Sequence, residues 1–431
     1  MKKINLGLLG FGTIGSGVLK VLQKKSALLE NKLGVKIKLK RVCEINPTLV
    51  KKLKSIKVDV CKNADKILED PDIDIVIELI GGIHPAKEYI LKALRNKKHV
   101  VTANKALLAE NGEEIFKTAK ENGVDVYFEA SVGGGIPIIR SLREGLIANN
   151  IESIYGIING TSNYILSAMS EGGVEFKAAL KDAQVRGYAE KNPHFDISGI
   201  DCAHKIAILA RICFNQKVKF TDIHIEGIND IELSDLNYAQ DLGFCVKLLA
   251  IAKKAQDSLD IRVHPCLVPK GHLLANVSGV YNAVFIKADL IGRALLQGEG
   301  AGALPTASAV VGDIISIAQK IPQDSQMDLL NVKAVNMSKK IISVDELFTR
   351  YYFRFTALDK PEVLSKISSV LGKFKISIYS VIQKGRQRSQ AVPIVMMTHE
   401  AREKDIRKAL SQINKLPFIK KKTVAIRVER I

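Results

Sequence analysis

The sequence predicts an α/β chain in three parts: a nucleotide-binding unit of parallel strands and helices, an α+β domain inserted into it, and a C-terminal domain in βαββαβ order. Three observations lead there. A glycine-rich turn, Gly10-Phe11-Gly12-Thr13-Ile14-Gly15, lies between an apolar strand and a helical run, the setting that gives GxGxxG its meaning and makes the unit Rossmann-type. Short apolar runs then alternate with helical patterns up to residue 136. From about Tyr351 the order is strand, helix, two strands, helix, strand, which is ferredoxin-like. The expected units are 1–136, completed by about 298–320; 137–297; a linker at 321–348; and 349–431.

Ile4 to Leu9 reads as a buried strand and Ile14 to about Gln23 as the helix after it. Gly10 permits the tight turn between them. Gly12 lets backbone N–H groups approach a pyrophosphate at the helix N-terminus, and Gly15 lets helix and strand pack closely. A glycine turn with no ligand is the other reading. The second strand, about Ile37 to Cys43, ends in Glu44. A carboxylate there accepts from a ribose 2′-OH and repels a 2′-phosphate, which leans towards NAD. Arg41 and nearby lysines suit a 2′-phosphate instead, and an insertion around Leu28 to Val35 lengthens the usual spacing.

Asp74 to Ile80 is the third strand, closed by Gly81-Gly82, and Pro85 opens a helix to about Asn96. His99 to Thr102 is the fourth strand and leads into Ala103-Asn104-Lys105. Lys105 therefore stands at the carboxyl end of a parallel strand, where open α/β sheets bind ligands. Val124 to Phe128 is the fifth strand. The stretch after it, Glu129 to Pro137, contains Gly133-Gly134-Gly135. Its unshielded backbone suits a ligand or a cation, and equally an interdomain hinge.

Ser153 to Ile158 reads as a strand, followed by a polar turn from Asn159 that opens a helix. The segment Gly187 to Phe214 carries most of the chemistry. Ser198 and Asp201 have the spacing of a capping box. From Ile200 the helix is apolar nearly all round, so it is expected to be buried. Asp201 and Lys205 lie within it at i, i+4 and share a face. A lysine in such surroundings needs a partner, and Glu190, Asp196 and Asp201 are near enough in sequence. Three carboxylates around one lysine can bind a zwitterion and move a proton; a structural ion pair is the alternative. Gly298 to Thr306 is a second glycine-rich loop, and a helix follows it to about Gln319. The C-terminal helices are expected at Pro361–Lys373 and Glu400–Gln412.

Composition narrows the function classes. The apolar and charged fractions, 47% and 25%, are those of a soluble globular protein. No apolar run is long enough to span a membrane. The first residues look like a signal peptide, but their glycines fall at motif spacing within a βαβ pattern, which rejects that reading. Six cysteines without a CxxC pair fit reduced thiols in a cytoplasmic protein. No His/Cys ligand spacing offers a metal site. The net charge is +19, and residues 350–431 hold 19 Lys/Arg against 6 Asp/Glu, which is +13 of it. That tail invites nucleic acid, but it lacks aromatic-interleaved basic motifs, so a solvated lysine-rich surface is preferred.

Taken together, GLLGFGTIGSG, VIELIGG, VTANKALLA, EASVGGGIPII, NGTSNYIL, the Glu190–Lys205 set, GEGAGALPTASAVVGDI and FTALDKPEVLSKI resemble homoserine dehydrogenase with a C-terminal ACT domain, in order over essentially the whole chain. The resemblance implies reversible reduction of L-aspartate 4-semialdehyde to L-homoserine with NAD or NADP, on the route to threonine, isoleucine and methionine. It implies Lys205 as proton donor to the carbonyl oxygen, Asp201 holding it, and Lys105 polarising between cofactor and substrate. Glu190 binds the substrate ammonium and Asp196 supports that region. Glu129 with Val132, Gly134 and Ile136 matches a monovalent-cation site for Na+ or K+, and Gly302 lies in a loop that closes on the cofactor. An amino-acid effector at the ACT domain and a homodimer or homotetramer are further implications.

Four residues depart from the family pattern: Cys43 where many members carry Arg, Asn192 for a frequent Asp, Ser198 for a frequent Glu, and Glu362 for the Gly of DKPGVL. The last puts amino-acid feedback in question and leaves oligomerisation as the domain's other role. Another dehydrogenase of the same architecture, or an amino-acid sensor without catalysis, are the competing readings.

Overall fold

The structure, a computed structural model, describes residues 3–321, 340–384 and 391–431. The first unit runs β1 (Lys3–Leu9), α1 (Thr13–Leu33), β2 (Lys36–Cys43), α2 (Pro47–Ser55), β3 (Val60–Cys61), α3 (Asp65–Leu68), β4 (Ile75–Glu78), α4 (Ala86–Arg95), β5 (His99–Thr102), α5 (Lys105–Glu121) and β6 (Val126–Tyr127). Its six strands pair in parallel, in the order β3-β2-β1-β4-β5-β6. Helices cover both faces, so the central strands are apolar on both sides. The order reverses between β1 and β4, which opens a crevice at their carboxyl ends. The insertion around Leu28 to Val35 continues α1, which ends at Gly34 with φ 67°, a left-handed cap that suits glycine.

After α6 (Ile138–Arg140) comes the inserted domain: β7 (Ile151–Ile157), α7 (Gly160–Gly172), α8 (Phe176–Val185), α9 (His194–Ile197), α10 (Ile200–Phe214), β8 (His224–Ile225), α11 (Leu233–Asp241), β9 (Phe244–Ala255), β10 (Ser258–Pro269), β11 (Tyr281–Ala288) and β12 (Gly292–Glu299). The helix α12 (Ala303–Lys320) then returns to the first unit. Its Ala307, Val310, Ile314 and Ile317 share a core with Val18 and Leu22 of α1. The close approach needs Gly17, where a Cβ would sit 2.5 Å from the Ala303 carbonyl oxygen.

The last part contains β13 (Lys340–Ile341), β14 (Phe348–Leu358), α13 (Val363–Lys373), β15 (Ile378–Ile382), β16 (Ala391–Thr398), β17 (Ala401–Arg402), α14 (Glu403–Ile413) and β18 (Ile419–Val428). Strand order β18-β14-β16-β15 is that of a ferredoxin-like sheet. Glu362 starts α13 at φ 69°, a left-handed conformation that a side chain adopts at a cost of about 1 kcal/mol or more.

Two expectations change here. Residues 322–339 of the expected linker lie outside the described residues. The segment beyond them is tied down, because β13 pairs with β10 through Ser258↔Lys340. The basic tail is also not all solvated. Strand β18 pairs with β10 at Cys266↔Arg427 and Leu267↔Val428, which fuses both domains into one 12-stranded sheet. Arg427, buried at this seam, donates to Glu226 at 2.6 Å and to Glu403 at 2.6 Å. Arg354, also buried, donates to Asp235 of α11 at 2.6 Å. Arg262 of β10 donates to Glu429 at 2.7 Å and pairs with Asp260.

His264, Cys266 and Glu429 group beside this network, within 4.8 Å of one another, a grouping that linear spacing did not reveal. Their ligand atoms are already engaged. His264 Nε2 accepts from Arg262 Nε at 2.8 Å, its Nδ1 faces the Pro265 carbonyl, and Glu429 accepts from Lys253 and Arg262. The cluster is a hydrogen-bonded seam between domains.

Candidate active site

The glycine turn after β1 has the shape a dinucleotide needs. Gly10 has φ 89°, and a Cβ there would lie 2.9 Å from the Leu79 carbonyl oxygen. Gly15 abuts the Gly10 carbonyl, where a Cβ would lie at 2.5 Å. Gly12 caps α1 and has nothing within 4 Å of its Cβ position, so open space faces the free N–H groups of the first helical turn. Phe11 is buried, Ile14 half-buried and Thr13 exposed at the rim. The 298–302 loop lies close by: Gly302, φ 113°, caps α12, and Gly135 N–H donates to the Glu299 carbonyl at 3.0 Å. A Cβ on Gly134 would lie 2.4 Å from the Gly300 oxygen. Three glycine segments thus converge at the start of α12.

Glu44 does something the sequence did not reveal. It is buried, and its carboxylate accepts from the N–H groups of Phe11 at 2.7 Å, Ile45 at 2.9 Å and Asn46 at 2.8 Å. It holds the glycine turn against the end of β2. Arg41 is committed to Asp59 at 2.7 Å, and Lys40 to Asp70 at 2.8 Å, so these two of the cations expected to suit a 2′-phosphate are already paired.

The second cluster joins both domains. Asn104 caps α5 through Leu107 N–H and donates to the Gly82 carbonyl at 2.6 Å. This fixes Lys105 at the helix start, partly exposed. On α10, Asp201 is buried with Lys205. Asp201 Oδ2 lies 2.7 Å from Lys205 Nζ, and its Oδ1 lies 2.9 Å from Lys105 Nζ. Burial alone would raise the Asp201 pKa, but the two ammonium groups hold it well below the usual carboxylate range. The Asp201 charge in turn raises Lys105. Lys205 also donates to the Ile158 carbonyl at 2.6 Å. An ammonium has three protons, and among the described residues only two are engaged, which leaves the third for another acceptor.

The expected capping box does not form. Gly199 is the N-cap residue of α10, with φ 85° and no side-chain cap bond. The Asp201 carboxylate is taken by lysines, and the Ser198 hydroxyl is buried without a partner among the described residues. The three candidate carboxylates also separate. Asp201 pairs with Lys205. Asp196 on α9 is one link away, and burial raises its pKa. Glu190 is exposed, and its carboxylate has no ion pair among the described residues.

Glu129 is buried behind the glycine segment. Its two oxygens accept from Ile139 N–H at 2.7 Å and Arg140 N–H at 2.8 Å, and its own N–H donates to Asp313 Oδ2 at 2.8 Å. Burial raises its pKa, and that of Asp313 to about 8. The Ile136 carbonyl accepts from Ile138 N–H at 2.8 Å. Those of Val132 and Gly134 accept no bond among the described residues.

Three residues of the candidate site escaped sequence reading. Asn159 donates to Asp196 Oδ1 and Asp201 Oδ2, each at 2.8 Å, while its oxygen caps α7 through Ser162 N–H. Its place in a polar turn between strand and helix was the available signal. Glu78, a buried acid ending a strand, accepts from Ile80 N–H and Thr102 Oγ1 at 2.8 and 2.7 Å and shapes the crevice floor. Asp313 gave no local signal, because its partner Glu129 is 184 residues away.

Comparison with known proteins agrees with this architecture. The family model described as homoserine dehydrogenase matches residues 137–315, that of its NAD binding domain residues 10–129, and the ACT domain model residues 351–418. A homoserine dehydrogenase of Neisseria gonorrhoeae is 44% identical over 434 residues, with 100% of each chain covered. The crystal structure of one from Thiobacillus denitrificans has a TM-score of 0.93 at 42% identity, covering 100% of this chain and 99% of that one. A hyperthermophilic archaeal homoserine dehydrogenase solved in complex with NADPH has a TM-score of 0.62 at 28% identity, over 74% of this chain and 98% of that one.

Proposed function

The chain belongs to the homoserine dehydrogenase family, and on that premise we propose that Lys205, Lys105 and Asp201 carry its reaction. The enzyme is an NAD(P)-dependent oxidoreductase that interconverts L-aspartate 4-semialdehyde and L-homoserine in amino-acid biosynthesis. The observation that carries the residue assignment is the Asp201 carboxylate shared between Lys205 at 2.7 Å and Lys105 at 2.9 Å.

The bound nicotinamide cofactor supplies or accepts the hydride. Gly10, Phe11, Gly12, Thr13, Ile14 and Gly15 would hold its phosphates, with Glu44 bracing the turn and Gly302 covering it. Lys205 Nζ gives its uncommitted proton to the aldehyde oxygen as negative charge grows there, and takes it back in the reverse direction. Asp201 keeps Lys205 oriented, and Lys105 adds a second positive charge beside the same oxygen. Asp196 and Glu190 receive the substrate's α-ammonium group. The paired state of Arg41 and Lys40 supports NAD as the preferred cofactor.

Glu129, Val132, Gly134 and Ile136 are proposed to take Na+ or K+. A buried carboxylate with a raised pKa and two carbonyls that accept no bond among the described residues support the fit. The ion would contribute fixed positive charge and hold the loop. The C-terminal domain is assigned to assembly as a homodimer or homotetramer rather than to an amino-acid effector. The exposed Tyr379 and Val381 on the edge strand β15, and Glu362 in the place of a glycine, support this. Six free cysteines support a cytoplasmic location.

Oxidation of L-homoserine with NAD and NADP in parallel, with and without Na+ or K+, tests the reading. The expectation is turnover with both cofactors, a higher kcat/KM for NAD, and stimulation by the cation. Absence of turnover from folded protein with either cofactor contradicts it.

A further inference from the structure

Cys43 and Cys61 are register partners on the adjacent parallel strands β2 and β3. Neighbouring strands lie about 4.8 Å apart, inside the Cα separation that a disulfide spans. In-register residues of parallel strands also point to the same face. Here the two thiols lie close enough to perturb one another's ionisation. Strand β3 is two residues long and lies at the sheet edge, so it can shift.

The pair is wired to the cofactor turn. The Cys43 carbonyl accepts from Gly10 N–H at 3.0 Å, the Cys61 carbonyl accepts from Glu44 N–H at 3.0 Å, and Glu44 Oε2 accepts from Phe11 N–H at 2.7 Å. Hydrogen bonds therefore join the ends of both strands to the glycine turn. The two thiols are not equivalent. The neighbouring Cys43, with Arg41 and Lys66 nearby, holds the Cys61 thiol below its ordinary range against the effect of burial. The neighbouring Cys61 and burial push the Cys43 thiol up. The positive charges of Arg41 and Lys66 beside Cys61 favour it as the nucleophile and Cys43 as the resolving thiol.

We propose that Cys43 and Cys61 form a modification site at which a peroxide makes a disulfide that loosens the dinucleotide turn. The Cys61 thiolate attacks a peroxide oxygen, the O–O bond breaks, and hydroxide leaves, giving a sulfenic acid. The Cys43 sulfur then attacks that sulfur. The S–S bond forms, the S–O bond breaks, and the hydroxyl leaves with the Cys43 proton as water. In sum, two thiols and one hydrogen peroxide give one disulfide and two waters. The consequence for the cofactor rests on the nucleotide-site assignment above; the disulfide itself does not.

The test uses the full-length protein treated with hydrogen peroxide. Peptide mass spectrometry after alkylation reads the link, and quenching or enhancement of NADH fluorescence reads Kd without requiring turnover. The expected result is a Cys43–Cys61 peptide pair two hydrogens lighter, with the NADH Kd raised about fivefold, the equivalent of one hydrogen bond. Dithiothreitol should reverse both, and Cys61→Ser should show neither. Full alkylation of both cysteines after peroxide, an unchanged Kd in linked protein, or the same rise in Cys61→Ser each overturns the proposal. If the untreated protein fails to bind NADH or oxidise homoserine, the nucleotide-site assignment falls, whereas the peptide link still decides whether the dithiol forms.

Discussion

Lys105, on the first helical residue after a strand of the nucleotide-binding unit, lies 2.9 Å from Oδ1 of Asp201, on a helix of the inserted domain. The cleft between the domains is thus closed at its base by one carboxylate, whose other oxygen holds Lys205. Asp201→Asn removes the charge and keeps the shape. It should lower kcat by about 10²-fold or more and cost about 3 kcal/mol of stability, because two ammonium groups lose their shared partner. Steady-state kinetics and urea unfolding check both.

Asn159 separates capping from catalysis. Serine keeps an oxygen able to cap α7, but loses the amide that reaches Asp196 and Asp201. Asn159→Ser should therefore lower kcat/KM about tenfold or more, since bonds to charged groups are worth about 1.5–3 kcal/mol each. Its melting temperature should stay within a few degrees of wild type. Unchanged kinetics would remove Asn159 from the site.

Asp313 makes a pH prediction. Its folded pKa is raised to about 8 by burial, above an unfolded value of about 3.9. The folded state therefore holds a proton that the unfolded state releases between these values. Stability from this group is fully present below pH 4 and is lost as pH rises towards 8. Asp313→Asn cannot titrate, and its amide oxygen can still accept from Glu129 N–H. The wild type should lose stability relative to the variant between pH 4 and pH 8 in calorimetric scans. A constant difference contradicts the assignment.

The domain seam depends on Arg427, which is buried between Glu226 and Glu403. Arg427→Met leaves both carboxylates without their shared cation. The expected cost is about 3–5 kcal/mol, read by chemical denaturation, together with faster proteolysis near β18. A loss below about 1 kcal/mol would mean that main-chain pairing of β18 with β10 holds the seam by itself.

What the sequence disclosed follows from range. Strand periodicity and glycine spacing exposed the nucleotide-binding unit, because each element carries its own pattern. The pairing of Asp201 with Lys205 was legible because helix geometry brings i and i+4 together. Lys105 could be placed at a strand end, but its bond to Asp201 spans two domains and leaves no local trace. Glu44 was read as free to meet a ribose, because the Phe11 N–H that occupies its Oε2 comes from a loop 33 residues earlier. The buried role of Arg354 and Arg427 was hidden for the same reason: a basic residue looks alike on a surface and at a seam until its partners are known.

The most direct test of the central claim is kcat for L-homoserine oxidation by Lys205→Ala, beside circular dichroism and NADH binding. The account predicts a loss of at least about 10²-fold in kcat, with folding and cofactor affinity retained. Turnover near wild type in a folded, cofactor-binding variant would contradict Lys205 as the proton carrier.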